Sequence, residues 1–533
     1  MGRQLLQETP IIKTHNLTKT FGQVIANDKV SFDVRRGEIL ALLGENGSGK
    51  TSLMNMLSGI YFPDSGEIEV NGSFVSIRSP KDAFTLGIGM VHQHFKLVDV
   101  LTAAENIVLG LPGKIFLNRK KKADEIRDIS KRYGFQLDPD KKIYDMSVSE
   151  KQTVEIVKVL YRGAEILILD EPTAVLTPQE IERLFITLSN MKKGGKAIVI
   201  ITHKLNEVLS VSDRVHILRR GKSIATVNTA ETNRQALTEM MVGRSIDLKI
   251  DRPHIEEKIK RLEVRGLNCR NSENIKVLHN VNFTLKSGEI LGVAGVAGSG
   301  QKELCEAMAG LYPIEAGSIF YHPETGMPNG LSVKSVESVL PVEVVGKTPK
   351  EIKELGINFA FVPEDRLGMG LVASMDMADN VMLRYYDRGR WPFADRKHSR
   401  TLAEMLIEQL QIVTPGVSTP VRRLSGGNVQ KVLLGREIAS TPGVLIVAYP
   451  VRGLDINSSY TIYNLINEQK KRGVAILFVG EDLDVLLELS DRILVLCGGF
   501  VSGIVDAKKT TKEQVGLLMT HVPESTASEG GQS

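Results

Sequence analysis

The chain contains the same long passage twice. VSFDVRRGEILALLGENGSGKTSLMNMLSGIYFPDSGEI begins at Val30, and VNFTLKSGEILGVAGVAGSGQKELCEAMAGLYPIEAGSI begins at Val281. Gly37 matches Gly288 and Gly66 matches Gly317, an offset of 251 positions. Farther on, Ser147 matches Ser425, an offset of 278, so the second copy carries 27 additional residues. Most of them fall between Gly317 and Glu364, around SVKSVESVLPVEVVGKTPKE. A period this long describes two tandem domains, not a solenoid of short repeats. At 533 residues, each copy has enough chain for its own core. The expected division is a first domain over 10–246 and a short polar linker over 247–258 that contains Pro253. A second domain follows over 259–520, and the polar tail over 521–533 is expected to be disordered.

Each copy alternates apolar runs with helical stretches. EILALLG and AIVIITH in the first copy, and VLIVAY and AILFVG in the second, read as buried parallel strands. Helical pattern fills the intervals, which predicts an α/β fold, each copy a mixed, mostly parallel sheet with flanking helices. A helix-rich insert is expected from about Pro112 to Asp145. Its basic run, Arg119 to Lys122, reads as a solvated helix face.

Composition removes several functional classes. The net charge of +4 is too small to argue for nucleic acid. Cys269, Cys305 and Cys497 lie far apart without zinc-type spacing and read as reduced thiols. No run of about 18 uncharged apolar residues is present, so no segment is expected to span a membrane. MGRQLLQETP lacks the apolar stretch of a secretory leader. Any membrane role would run through a partner.

The first copy carries a nucleotide site. GENGSGKT, Gly44 to Thr51, fits G-x-x-x-x-G-K-[ST] and follows the apolar run EILALL. Gly44, Glu45, Asn46, Gly47, Ser48 and Gly49 would wrap backbone N–H groups around a phosphate at a helix N-terminus that includes Ser52. Lys50 supplies a cation for the β/γ oxygens, and the Thr51 hydroxyl can hold Mg²⁺. ILILDEPT, Ile166 to Thr173, ends a buried strand with Asp170, which can reach the metal. Glu171 then sits where it can orient or deprotonate a water. Gln93 in MVHQHF suits a sensor of Mg²⁺ or the γ-phosphate, and His203 in IITHK suits a contact to that phosphate. Taken singly, either is an ordinary surface or core residue; their order and spacing raise them.

With these motifs the chain resembles ATP-binding cassette ATPases with two fused cassettes, over roughly residues 10 to 520. The resemblance makes Gly44–Thr51 the Walker A loop, Gln93 the Q-loop, Asp170–Glu171 the Walker B pair and His203 the switch histidine. It gives each cassette a helical subdomain and implies ATP and Mg²⁺ as ligands. Phe21 in KTFG fits the adenine-stacking aromatic of the family, and fits a core side chain nearly as well. LSGGNVQK, Leu424 to Lys431, is similar to the family signature LSGGQ. Ser425, Gly426, Gly427 and Asn428 would present a helix N-terminus to a γ-phosphate from outside.

The second copy's own nucleotide positions are stripped. Gln301 replaces the lysine and Lys302 the metal-binding hydroxyl. One residue along a helix turns a side chain by about 100°, so Lys302 cannot stand in for Lys50. Ala448 and Tyr449 replace the Asp–Glu pair, Glu481 the histidine, and Glu364 lies near the glutamine position. The first copy's signature, MSVSEKQ, has Ser149 where related importers have glycine.

Cassettes of this family pair head to tail. The resemblance therefore implies one competent site, the first copy's Walker motifs against the second copy's signature. The other site is degenerate; because Gly295, Gly298 and Gly300 still offer backbone N–H groups, it is expected to bind nucleotide without hydrolysing it. PTAVLTPQE, MVHQHFKLVDVLTAAENIVLG and VPEDR are similar to importer ATPases for simple sugars and nucleosides, nearest the nucleoside branch. Such a protein would sit peripherally on the cytoplasmic face of the cell membrane. Its partners would be two permease subunits, reached through Leu97–Leu109, and, indirectly, an extracytoplasmic solute-binding protein. The competing class is a soluble paired-cassette ATPase working on ribosomes or DNA. Those usually keep two complete sites and a long charged linker, or zinc-spaced cysteines. A regulatory module without turnover is a third class, opposed by the intact Lys50, Asp170, Glu171 and His203.

Overall fold

Ile39–Leu43 is a strand in which all five side chains are buried. Only a strand covered on both faces tolerates such a run. Each fully buried Leu or Ile contributes about 1.5–3 kcal/mol. The computed structural model describes residues 10–93, 95–111, 119–174, 176–244, 248–256, 258–323, 340–386 and 395–521. They form two units that divide between Leu248 and Lys249.

In the first unit Ile39–Leu43 lies inside a six-stranded sheet. The order is Ile88–Val91, Ile166–Asp170, Ala197–Ile201, Ile39–Leu43, Arg214–Arg219 and Lys222–Asn228. The first five strands run parallel and the sixth turns back antiparallel. The second unit repeats this order with Phe359–Val362, Val444–Ala448, Ala475–Val479, Ile290–Gly295, Arg492–Cys497 and Phe500–Asp506. Again only the last pairing is antiparallel.

Each unit also has a separate antiparallel sheet, built on Pro10–Phe21 in the first and Lys260–Arg270 in the second. These strands alternate buried and exposed residues, as a sheet with one wet face must. The expected α/β architecture is present, with its strands shared between two sheets per unit.

Helices fill the interval between the strands Ile88–Val91 and Ile166–Asp170: Ala103–Val108, Arg119–Tyr133 and Val148–Tyr161. Residues 112–118, at the start of the expected insert, lie outside the described residues. Lys120 and Lys121 are exposed, as a solvated face requires, and Lys122 is half-buried. Its ammonium turns onto Glu125 at 2.9 Å and the Tyr161 hydroxyl at 2.7 Å. The corresponding helices of the second unit are Met377–Met382, Arg396–Gln409 and Gly426–Ala439. The strands Ile88–Val91 and Phe359–Val362 stand 271 positions apart, so most of the second copy's extra length precedes Phe359. Part of it, 324–339, is outside the described residues, as are 245–247 and the tail 522–533.

Residues 250–256 and Lys258 belong to the second unit and pack against its helices and strand ends. The Asn467 side chain donates to the Asp251 carbonyl at 2.8 Å, and Arg252 donates to the carbonyls of Leu487 and Ser490. Lys258 lies 3.3 Å from Asp491, which also takes the fully buried Lys470 at 2.9 Å. Among the described residues no helix is long and apolar enough to cross a membrane. Cys269 and Cys305 are buried, Cys497 is half-buried, and all three are free thiols.

Candidate functional site

The loop after Ile39–Leu43 leads into the helix Lys50–Leu57. Gly47 and Gly49 have φ of 78° and 97°, where a side chain is strained. A Cβ on Gly49 would also lie 2.3 Å from the Ala26 carbonyl oxygen. The Asn27 amide donates to the Gly49 carbonyl at 3.2 Å and ties the loop to the antiparallel sheet. The Lys50 ammonium bends back over the loop to the carbonyls of Gly44 and Glu45, at 2.6 and 2.9 Å. Burial pushes its pKa down, against the opposing pull of Glu171, Asp170 and Glu45. Ser48 is buried against Gly44, whereas Asn46, Gly47 and Thr51 are exposed and Glu45 and Ser52 half-buried.

Asp170 ends the neighbouring strand Ile166–Asp170. Burial, with Glu171 beside it, raises its carboxyl to about 6. Glu171 adopts the left-handed backbone at φ 48°, fixed by its amide on the Ile201 carbonyl at 2.9 Å. Its Oε1 lies 2.9 Å from His203 Nδ1, while the buried Oε2 has no hydrogen-bond partner among the described residues. The hydrogen bond to Glu171 raises the His203 pKa. Gln93 follows the strand Ile88–Val91 and is exposed.

Lys50, Asp170, Glu171 and His203 therefore form one group at the strand ends, with Gln93 on the adjoining strand end. A hard cation fits beside it: a raised carboxyl and an orphaned carboxylate oxygen mark uncompensated acidity. Thr51, Gln93 and Asp170 supply hydroxyl, amide and carboxylate oxygens. Among the described residues no cluster of three or more His, Cys, Asp or Glu side chains could hold a metal unaided. The cation would thus lean on these mixed donors and on phosphate.

Phe21 is 43% exposed at the end of Pro10–Phe21, packed edge-on against Tyr61 at 5.2 Å. That exposure removes the core alternative.

The second unit reproduces the loop. Gly298 and Gly300 have φ of 85° and 96°, and the helix Gln301–Met308 follows. Buried Gln301 donates to the Val296 carbonyl at 3.1 Å, the bond that Lys50 makes to Glu45, without bringing a charge. Lys302 points outward, 67% exposed. Tyr449 adopts φ 47° and donates its amide to the Val479 carbonyl at 2.9 Å. Burial pushes its phenol far above the ordinary value.

The two signature helices differ at their starts. Ser425 caps Gly426–Ala439, and the Asn428 amide donates to its hydroxyl at 2.9 Å. Gly426 is exposed, and a Cβ on Gly427 would lie 2.6 Å from Ser458 Oγ, so the Ser458 side chain would have to shift. In the first unit Ser147 caps Val148–Tyr161, and Glu150 closes the end by accepting the Ser147 amide at 2.7 Å. An anion already sits on that helix's positive end, one residue beyond Ser149. The S-x-x-E capping box at 147–150 spells it out in the sequence. Asn27 had no comparable signal.

The sequence profile of the ABC transporter family matches residues 27–174 and 278–450. The nucleoside import ATP-binding protein NupA of Lactococcus lactis subsp. cremoris is 41% identical, over 96% of this chain and 98% of that protein. The guanosine import ATP-binding protein NupO of Bacillus subtilis is 41% identical, over 98% and 99%. The glucose import ATP-binding protein TsgD13 of Haloferax volcanii is 37% identical, over 98% of each. A chain in the solved complex of archaeal ribosomal stalk protein aP1 with ribosome recycling factor aABCE1 aligns at TM-score 0.55. It covers 90% of this chain and 87% of that chain at 16% identity, a likeness of fold alone. With two profile matches, a loop and acid–histidine group suited to ATP, and relatives along its whole length, the chain belongs to the ABC transporter family and is a two-cassette transport ATPase.

Proposed function

We propose that the chain is the energy-coupling subunit of an importer for nucleosides or simple sugars, bound peripherally to the cytoplasmic face of a membrane permease pair. A solute-binding protein outside the membrane would deliver the cargo. The names of the relatives support both substrate classes, and the 41% identity to NupA and NupO favours nucleosides. The segment 97–109 supports a docking role, with Val98, Val100 and Leu109 exposed by 42, 67 and 51%.

Hydrolysis occurs at one site, formed by Lys50, Asp170, Glu171 and His203 together with the signature of the second cassette, Ser425 to Asn428. The observation that carries this is the Glu171–His203 pair, set against Tyr449 and Glu481 in the second cassette. Glu171 Oε2 accepts the proton of the attacking water, and His203 holds Glu171 through Oε1. Lys50 leaves the loop carbonyls for the β/γ-phosphate oxygens. When bound by Thr51, Gln93 and Asp170, Mg²⁺ supplies charge neutralisation on those phosphates. Phe21 offers its exposed ring to adenine. The second site, without Lys50, Asp170 and Glu171 equivalents, binds nucleotide but does not cleave it.

Reconstitution with the permease pair tests the assignment. ATP-dependent uptake of radiolabelled nucleoside or sugar supports it. Failure to associate with permease subunits, together with co-purification on ribosomes, refutes it.

A further inference from the structure

In the second cassette one guanidinium joins three strand ends. Arg452 Nη1 donates to Glu364, and Arg452 Nε lies 3.0 Å from Glu481. Arg366, in the turn that leads to the helical segment, donates to the Arg452 carbonyl. Glu364 stands two residues past Phe359–Val362, as Gln93 stands past Ile88–Val91. Glu481 stands two residues past Ala475–Val479, as His203 stands past Ala197–Ile201. The matching position to Arg452 in the first cassette is Ala174, which has no charge to offer.

The three metal-ligand positions do not fit Mg²⁺ here. Lys302 replaces the Thr51 hydroxyl with a cation and lies 3.8 Å from Glu306. Ala448 replaces the Asp170 carboxylate with a methyl group. Glu364 keeps an oxygen, but Arg452 already holds it. Mg²⁺ dehydrates reluctantly and demands a near-octahedral oxygen set, which one claimed carboxylate cannot begin. A guanidinium is permanently charged, planar and weakly hydrated, so it bridges two carboxylates at once at a smaller desolvation cost than a divalent cation. Partial burial works against the Arg452 charge, but Glu481 and Glu364 outweigh it and raise its pKa.

We propose that Arg452 takes the metal's place in the second cassette: it ties the loops of Glu364 and Glu481 together, and this cassette binds no divalent cation. The inference rests on the proposed division of labour between the cassettes and specifies its inactive half. Any nucleotide on the Gly295–Gly300 loop is held as the metal-free anion. The loops stay joined whether or not nucleotide is present.

The test uses the full-length chain carrying Glu171→Gln, so that ATP persists, with Mn²⁺ as a paramagnetic probe. Electron paramagnetic resonance is expected to count one Mn²⁺ per chain at saturating ATP, and none after Asp170→Ala. Two per chain, or one that survives Asp170→Ala, overturns the proposal. Amide exchange across 364–371 in the nucleotide-free chain reads the tie itself. Arg452→Ala should accelerate exchange about three- to ten-fold, the range for loss of a small exposed ion-pair network, with Arg452→Lys between the two. Unchanged exchange in Arg452→Ala overturns it. Phosphate release tests the underlying reading separately: full turnover by Glu171→Gln refutes the division of labour, and the Mn²⁺ count is then read with a non-hydrolysable ATP analogue, with the same two outcomes.

Discussion

Glu171 and Tyr449 share one backbone shape: φ is 48° and 47°, and each amide donates at 2.9 Å to the carbonyl that ends the adjoining strand, Ile201 or Val479. A non-glycine residue in this region stores strain, which persists only where the surrounding structure enforces it. The two cassettes therefore keep the same scaffold at this strand end and differ in the group mounted on it, a carboxylate in one and a half-buried phenol in the other.

Removing the carboxylate alone should isolate its role. Glu171→Gln keeps the shape and the contact to His203 but cannot accept a proton. We expect phosphate release to fall on the order of 10²- to 10⁴-fold while bound ATP is retained. Quench-flow together with filter binding distinguishes lost chemistry from lost binding.

Lys50 and Gln301 make matching hydrogen bonds to their loops, but only Lys50 carries charge. Lys50→Ala should abolish high-affinity ATP binding at the first cassette and with it turnover. Gln301→Ala removes one neutral hydrogen bond, worth about 1 kcal/mol of loop stability, and should leave turnover within about two-fold. Steady-state ATPase assays on both variants give the comparison; equal losses would mean two equivalent sites.

Ser425 lies exposed at the start of a helix whose N-terminus carries no acidic side chain in its first turn. Ser425→Arg blocks that approach, and turnover should fall about 10²- to 10³-fold, as for loss of an oxyanion donor. Ser147→Arg, on the helix end already closed by Glu150, should leave turnover nearly unchanged. Thermal melts of both variants exclude unfolding as the cause.

A buried histidine away from the site gives a pH signature. His216 is 1% exposed, bonded to Thr226 and Ser223, and burial with Arg214 nearby lowers its pKa to about 4. In the unfolded chain it titrates near 6.5. Below that value the unfolded state binds the extra proton, so stability is lost as pH falls from about 6.5 towards about 4. The contribution is about 3 kcal/mol over the full window. Urea titrations of wild type and His216→Gln at pH 7 and pH 5 check it: the wild type should lose more on acidification.

The repeat, the parallel strands and the first-cassette group were legible because each is local. A strand is a run of neighbours, and Lys50 and Asp170 each sit at a fixed step from one. Arg452 was not legible, since its partners lie 88 positions before it and 29 after it, and only folding brings those loops together. The partner of Lys122 was hidden for a related reason: the basic run faces solvent at Lys120 and Lys121, but Lys122 reaches Tyr161, 39 positions away. Phe21 was ambiguous because an isolated aromatic has no period to place it inside or out. Glu150 is legible as a cap from the S-x-x-E spacing with Ser147, whereas its neighbour Ser149 is legible only against a glycine-rich signature.

The residues between the cassettes have a practical consequence for dividing the protein. In the first cassette Lys192 meets Asp213 at 2.5 Å and stays one-third exposed; the matching Lys470 is wholly covered, and its partner Asp491 takes Lys258 as well. A cut after Leu248 would leave Arg252 and Lys258 attached to the carbonyls and carboxylate they serve. A cut after Lys258 would strip both from the rear half, leaving Asp491 with one cation fewer and the carbonyls of Leu487 and Ser490 without their arginine. The point at which the gene can be split is thus set by where this strap adheres, from nine residues upstream of the strand Lys260–Arg270.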